Sequence, residues 1–209
     1  MLTRPDSVRS RPENAEAQKP VARVRNDPRL SASFGDDGQN RNFSFKGRWM
    51  RVRFHTLRRE QWIPCNIDQV FAFFADARNL QQITPPWLHF RILSADSSPI
   101  AQGTRIRYRL RLHGIPVFWK TEIRRWNAPC GFVDVQRSGP YALWHHTHRF
   151  EACAGGTRMT DVVRYRLPFG LLGRILHALK VRSDLRRIFD YRFQRIHQMF
   201  AEQTPPGSH

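Results

Sequence analysis

Two histidines and an aspartate in neighbouring segments of this sequence carry side chains suited to proton transfer. His146 and His148 are two residues apart in a segment where polar and apolar residues alternate, and Asp161 lies in the next segment, beyond a glycine turn. In a β-strand, residues i and i+2 point to the same face, so we expect both imidazoles on one side. A carboxylate opposite them on the paired strand would form a hydrogen-bonded cluster with them.

Other polar residues share strand faces with large apolar residues, which we expect to mark the concave side of a curved sheet. Asp134 and Gln136 share a face with Phe132, and Tyr165 shares a face with Asp161. The polar and aromatic residues expected to line a cavity there are Trp87, Tyr108, Trp119, Asp134, Gln136, Trp144, His146, His148, Asp161 and Tyr165. We expect them to surround an apolar ligand.

Three interpretations of the polar cluster stay open on the sequence. It could be a satisfied buried network, a set of polar contacts that orient a ligand, or an acid–base pair in which Asp161 orients His146 or His148. Because no motif indicates a nucleophile or a substrate, no catalytic residue is assigned. Two imidazoles and a carboxylate can hold zinc in principle, but no cysteine or further histidine lies at a ligand spacing. The sequence therefore predicts no metal ion and no cofactor.

Alternating residues predict a first strand and then about six antiparallel strands. In the clearest, 104–112, four arginines share one face and Ile106, Tyr108 and Leu110 share the other. We interpret the arginine face as solvated, with docking on anionic lipid as the functional alternative. The other strands are predicted at 55–63, 87–93, 117–126, 132–137, 143–153 and 157–167.

Apolar residues at helical spacing predict two helices. The first covers 67–80, with Asn66 as its N-cap. The second, 171–200, carries two apolar stripes whose phase slips near Arg182, which predicts a kink. We expect the basic side of this helix, which includes Arg192, to be solvated. The first stripe comprises Leu172, Ile175, Leu176 and Leu179, and the second comprises Leu185, Ile188, Phe189, Ile196 and Phe200.

The composition limits the class of protein. The chain has 209 residues, of which 40% are hydrophobic, enough for one domain with a core. It contains no run of about 18 apolar residues that could span a membrane, and no apolar secretory signal at its start. Cys65, Cys130 and Cys153 are far apart, which argues against a disulfide framework and favours a cytoplasmic location.

The formal net charge of +18 would attract polyanions such as nucleic acid or anionic lipid. Nearly all of the positive charge is arginine, whose use can follow genome composition. We therefore expect no specific nucleic-acid partner, and peripheral contact with an anionic membrane is the partner that this charge leaves open. A basic module that docks on anionic membrane or nucleic acid is the second alternative function.

The chain divides into a tail and one domain. Residues 1–50 are rich in Arg, Pro, Asp, Asn and Ser and are predicted to be a disordered basic tail, or to precede the true start, because Met50 directly precedes the first strand signal. Residues 51–201 are predicted to form the ligand-binding domain. Residues 202–209 are predicted to be a frayed polar tail.

Seven local strings and the order of the elements follow a known pattern. The strings are RREQWIP at 58–64, VFAFF at 70–74, ITPPWL at 83–88, FVDVQ at 132–136, GPY at 139–141, WHHTHRF at 144–150 and FDYR at 189–192. Over residues 55–200 the chain resembles the START-like, helix-grip superfamily, also called SRPBCC or polyketide cyclase/dehydrase-like. Within it, the chain resembles the bacterial group of ligand-binding SRPBCC domains.

This resemblance implies an α+β, helix-grip fold. Such a fold has a curved antiparallel sheet of about seven strands wrapped around a long C-terminal helix, with short helices after the first strand. Some relatives are fused to an epimerase-like oxidoreductase domain, so such a protein is a candidate partner. This chain has no G-x-G-x-x-G of its own.

The resemblance constrains function less than fold, because the superfamily includes lipid carriers, hydrolases, cyclases and quinone binders. We expect binding or carriage of a hydrophobic small molecule, of the lipid, isoprenoid or quinone class, in an internal cavity of several hundred Å³. A conventional enzyme is not expected. The alternative is a cyclase/dehydrase-type or hydrolase-type enzyme that uses the cluster of His146, His148 and Asp161.

Overall fold

The computed structural model describes residues 43–45, 48–50, 54–168, 170, 175 and 177–202. Nine antiparallel strands are present in these residues. They are β1 (Phe43–Phe45), β2 (Arg48–Met50), β3 (His55–Ile63), β4 (Arg91–Ala95), β5 (Arg105–Leu112), β6 (Ile115–Asn127), β7 (Gly131–Ser138), β8 (Leu143–Cys153) and β9 (Gly156–Arg166). β1 pairs with β2, and the other seven form one sheet in the order β3-β9-β8-β7-β6-β5-β4.

The alternation in β5 shows how the sequence forms this sheet. Ile106 and Leu110 are buried on the inner face, whereas Arg107 and Arg111 are exposed on the outer face. Hydrocarbon burial on one face and hydration of the guanidinium groups on the other fix which side of the strand faces the core. The predicted antiparallel sheet of about seven strands is thereby confirmed.

The first helix, α1 (Ile67–Ala75), begins at the predicted cap, where the Asn66 side chain accepts a hydrogen bond from the backbone N–H of Gln69. It buries Val70, Phe71 and Phe74. The prediction that it continues to residue 80 was wrong. Asp76 adopts an extended backbone and caps a separate 3₁₀ helix, Ala77–Gln81.

The strand predicted at 87–93 also begins later than expected. Pro86–Leu88 is a short 3₁₀ helix that follows Pro85, and β4 starts only at Arg91. His89 ends the 3₁₀ helix with a φ of 42°, in the left-handed region, so the chain changes direction before it joins the sheet.

The C-terminal helix, α2 (Arg182–Ala201), buries Leu185, Phe189, Ile196 and Phe200. A π-helical turn, His177–Val181, precedes it at the place where the phase of the apolar residues slips. Two members of the predicted first stripe, Ile175 and Leu179, are exposed by 48% and 76%. The other two, Leu172 and Leu176, lie outside the residues described for side chains.

Two core clusters attach the helices to the sheet. In the first, Phe71 of α1 meets Phe150 and Phe132 edge-on, with ring centroids 5.7 and 6.3 Å apart. In the second, Leu185 and Phe189 of α2 pack with residues of β3 and β9. Because the two helices cover only part of the inner face, a space remains between them and the sheet.

The segment predicted to be a tail is described only at β1 and β2. Its other residues, and residues 203–209, lie outside the described part of the chain. Among the described helices, none has the length and hydropathy required to cross a membrane.

Candidate functional site

A cavity of about 190 Å³ lies between the inner face of the sheet and α2. This volume is smaller than the several hundred Å³ expected from the sequence. A cavity of about 150 Å³ in another protein holds benzene, so the space suits a compact ring system better than a long chain. The aromatic residues that line it are Phe73, Phe74, Phe90, Tyr108, Trp119, Phe132, Tyr141, Trp144 and Phe189.

Six of the ten residues that the sequence placed around the cavity line it in the structure. They are Tyr108, Trp119, Asp134, Trp144, His146 and His148. The carboxylate and the two imidazoles form one polar patch in a lining that is otherwise mostly apolar. A small-molecule site typically has this composition, because the apolar surface supplies affinity and a few polar groups fix orientation.

The other four predicted residues do not line this cavity. Trp87 is 40% exposed and packs outside, with its ring 5.3 Å from that of Tyr191. Gln136 uses its side-chain amide on the backbone of Tyr141, donating to the carbonyl at 2.6 Å. Tyr165 is buried in the core beside α2, and Asp161 lies behind the two histidines.

Four nitrogen–oxygen contacts join two imidazoles and two carboxylates in the polar cluster. His146 places Nε2 at 3.1 Å from Asp161 Oδ1 and Nδ1 at 3.3 Å from Asp134 Oδ2. His148 places Nε2 at 3.0 Å from Asp134 Oδ2 and Nδ1 at 2.8 Å from Asp161 Oδ1. Each ring therefore lies between both carboxylates, and the ring centroids are 3.8 Å apart.

The register of three central strands creates this arrangement. Asp134 of β7 is directly opposite His146 of β8, and His148 of β8 is directly opposite Asp161 of β9. Gly131 allows β7 to approach β8 so closely, because a Cβ atom there would overlap the backbone carbonyl of His148. Its φ of +149° also favours glycine.

Arg192 of α2 approaches the polar cluster from the helix, whereas the other members of the cluster lie on the sheet. Its Nε is 3.8 Å from Asp161 Oδ2, its guanidinium lies 5.5 Å from the centre of the Phe74 ring, and it lines the cavity. The expectation that Arg192 is solvated was wrong. The sequence contained evidence for its burial. Arg192 lies three residues after Phe189 and four before Ile196, and this spacing places it on the buried face of the helix.

Burial and neighbouring charge shift the two histidine pKa values in opposite directions. Burial lowers the pKa of His146, and the charge of His148 lowers it further. Burial would also lower the pKa of His148, but Asp161 and Asp134 raise it above its ordinary value. The two adjacent imidazoles therefore differ in proton affinity, although each of them places both ring nitrogens against a carboxylate.

The carboxylates are held in their ionised form. Burial would raise the pKa of Asp161, but the charges of Arg192, His148 and His146 hold it well below its usual value. The pKa of Asp134 is lowered for similar reasons, since His146 and His148 outweigh its burial. The cluster is therefore a charged group at one side of an apolar space.

The indole of Trp119 offers a further polar contact. Its N–H is buried and has no acceptor among the described residues, although Trp119 lines the cavity. Buried donors are nearly always paired, so this N–H is available to an acceptor that enters the cavity, such as a water molecule or a bound molecule. Sequence analysis placed Trp119 here but could not show that its N–H lacks a partner.

Comparison with known proteins gives one family match and many similar folds. Residues 63–188, more than half of the chain, match the model of a family described as polyketide cyclase/dehydrase and lipid transport. None of the curated proteins compared with the chain matches it.

Solved structures with a similar fold include protein TTHA0849 from Thermus thermophilus, with a TM-score of 0.55 and 20% identity over 72% of this chain and 99% of that one. Ara h 8.0201 gives a TM-score of 0.55 and 15% identity over 72% and 99%. Protein Ms6760 from Mycobacterium smegmatis gives 0.54 and 16% over 71% and 92%. At these identities the likeness shows the fold alone.

Proposed function

Because the chain belongs to the polyketide cyclase/dehydrase and lipid transport family and has its START-like, helix-grip fold, we propose that it binds a compact hydrophobic molecule in the cavity. The ligand is of the lipid, isoprenoid or quinone class and carries an oxygen-bearing ring or head group. The observation that carries this proposal is the aromatic cavity, with Asp134, His146 and His148 grouped in its lining.

The size of the cavity supports a ring or head group as the part that is enclosed. A volume of about 190 Å³ accommodates one or two fused rings, whereas a long acyl or isoprenoid tail would extend beyond it. Leu88, Leu112 and Ile188 line both this cavity and an adjacent surface pocket, so a tail would leave there, between β5 and the start of α2.

The polar residues support an oxygen-bearing ligand. The Trp119 N–H lacks an acceptor among the described residues, so it can donate to a carbonyl or hydroxyl oxygen. A pure hydrocarbon would leave the indole donor unpaired, which costs about 1–3 kcal/mol. Organic extraction of gently purified protein, followed by mass spectrometry, is expected to release an apolar compound that carries oxygen.

Leu112→Trp is expected to weaken ligand binding at least about tenfold, because the larger side chain occupies the shared lining of cavity and surface pocket. Binding is measured by fluorescence titration with a ring-bearing probe such as a naphthoquinone. Leu93→Trp is the matched control, since Leu93 is 54% exposed on β4 and should leave binding unchanged. Equal affinity in both variants would contradict the placement of the ligand.

A second candidate function is contact with an anionic membrane, and one observation on the outer face of the sheet favours it. Arg91 is directly opposite Arg109, and Arg107 is directly opposite Lys120. Like charges facing each other across strands are destabilising. Within the described part of the chain these four cations have no ion-pair partner, and exposed Phe118 lies among them. An anionic lipid surface would supply the missing counter-charge.

Arg107→Gln/Arg109→Gln is expected to weaken binding to phosphatidylglycerol vesicles by about 30-fold, since each basic residue near an anionic surface contributes about 1 kcal/mol. Vesicle co-sedimentation measures this. Arg58→Gln/Arg158→Gln removes the same charge from exposed positions on β3 and β9, at the other edge of the sheet, and should have little effect. Equal losses in the two variants would show that net charge alone is responsible.

A further inference from the structure

Three ligand atoms of the polar cluster converge on one point of the cavity lining. Asp134 Oδ2 lies 3.3 Å from His146 Nδ1 and 3.0 Å from His148 Nε2, and the potential ligand atoms of these three residues all lie within 4.8 Å of one another. Around a tetrahedral zinc ion with bonds of 2.0–2.2 Å, ligand atoms are about 3.3–3.6 Å apart. The three residues are therefore grouped closely enough to bind one metal ion with two imidazoles and one carboxylate.

The nitrogens that face away from this point are also held. Asp161 Oδ1 is hydrogen-bonded to His146 Nε2 at 3.1 Å and lies 2.8 Å from His148 Nδ1, so one carboxylate contacts the far side of both rings. Histidines that bind metals usually donate their second N–H to such a carboxylate, which fixes the tautomer and the ring orientation. Arg192 in turn lies 3.8 Å from Asp161 Oδ2 and offsets its charge.

The hydrogen bonds of the cluster leave one nitrogen of each ring facing a carboxylate without a hydrogen bond. Of the four nitrogen–oxygen contacts, His146 Nε2–Asp161 Oδ1 and His148 Nε2–Asp134 Oδ2 have hydrogen-bond geometry. Because a neutral imidazole has one N–H donor, the Nδ1 lone pair of His146 then faces Asp134 Oδ2 at 3.3 Å and that of His148 faces Asp161 Oδ1 at 2.8 Å. Such contacts are repulsive unless a proton or a metal ion lies between the two atoms.

From this geometry we propose that Asp134, His146 and His148 bind a divalent first-row transition metal ion, with Asp161 as the positioning residue for both histidines. Three protein ligands leave a further coordination position, and all three residues line the cavity. That position would take an oxygen atom of the bound molecule. This last step rests on the proposed function, whereas binding of the metal does not.

The test uses the full chain, freed of ligand and treated with a chelator, and Co²⁺ as a spectroscopic probe. We expect one Co²⁺ per chain, with the visible absorption of four- or five-coordinate cobalt, and displacement by Zn²⁺. X-ray absorption of the Zn²⁺-loaded protein should show two imidazoles and no sulfur. Absence of the cobalt absorption, or sulfur coordination, would overturn the proposal without any variant.

Variants then locate the ion. Asp134→Asn and His146→Ala should weaken Co²⁺ binding by at least about 100-fold, and Asp161→Asn by about 10- to 100-fold. His145→Ala is the matched control and should not change it, because that ring lies on the other face of β8. Unchanged affinity in folded Asp134→Asn would also overturn the proposal. If metal binding fails but a naphthoquinone still binds, only the metal site is wrong, and the proposed function stands.

Discussion

Asp161→Asn is expected to lower the free energy of unfolding by about 3–5 kcal/mol, although the substitution preserves the shape of the side chain. Asp161 is 5% exposed and contacts both histidines and Arg192. Removing its charge leaves the Arg192 guanidinium without its nearest counter-ion in a largely buried position. Urea denaturation followed by circular dichroism measures the change.

Asp96→Asn is the control for this substitution. Asp96 is exposed just after β4, and among the described residues its side chain makes no ion pair. Its replacement should change the free energy of unfolding by less than about 0.5 kcal/mol. A change of similar size in both variants would mean that the buried charges of the cluster do not contribute to stability as we describe.

Phe189→Ala should both destabilise the protein and enlarge its cavity. Phe189 is 6% exposed on α2, lines the cavity and places its ring 5.6 Å from that of His146. Loss of a buried phenyl group costs about 3–5 kcal/mol, since hydrophobic contacts are lost and the space is not refilled. We expect a lower melting temperature and tighter binding of a two-ring probe relative to a one-ring probe.

Phe193→Ala, one turn further along the same helix, separates these effects. Phe193 is 36% exposed, so the loss should stay below about 1.5 kcal/mol. The preference between one-ring and two-ring probes should not change. If Phe189→Ala destabilises the protein without altering that preference, the ligand does not occupy the space beside α2.

The proposed metal ion gives the polar cluster a role that neither a static network nor simple ligand contacts would require. A metal ion would bind an oxygen of the ligand more strongly than an imidazole N–H does, and it would polarise a carbonyl group. The Trp119 N–H would then approach the same molecule from another part of the lining. This combination would favour quinone or hydroxyketone head groups over fatty acyl chains.

The sequence by itself determined the sheet and the pairing within the polar cluster. Alternation assigned Ile106 and Leu110 to the core and the arginines of β5 to solvent, and the hairpin between β8 and β9 brought Asp161 opposite His148. These features depend on the two-residue period of a strand and on short turns, which are local properties of the chain. The pairing of consecutive strands from β4 to β9 therefore followed from short-range information, whereas the pairing of β3 with β9 joins distant parts of the chain.

Only the tertiary structure decided which groups meet across long distances in the chain. The rotation of α2 brings Arg192 to Asp161, and the close approach of β7 to β8 adds Asp134 to both histidines. The alternation of β7 predicts that Gln136 points inward, but its side-chain amide is hydrogen-bonded to the backbone carbonyl of Tyr141. Helix rotation, sheet curvature and the residual volume between packed layers arise from the packing of all elements at once. No short repeating pattern in the sequence predicts these three features.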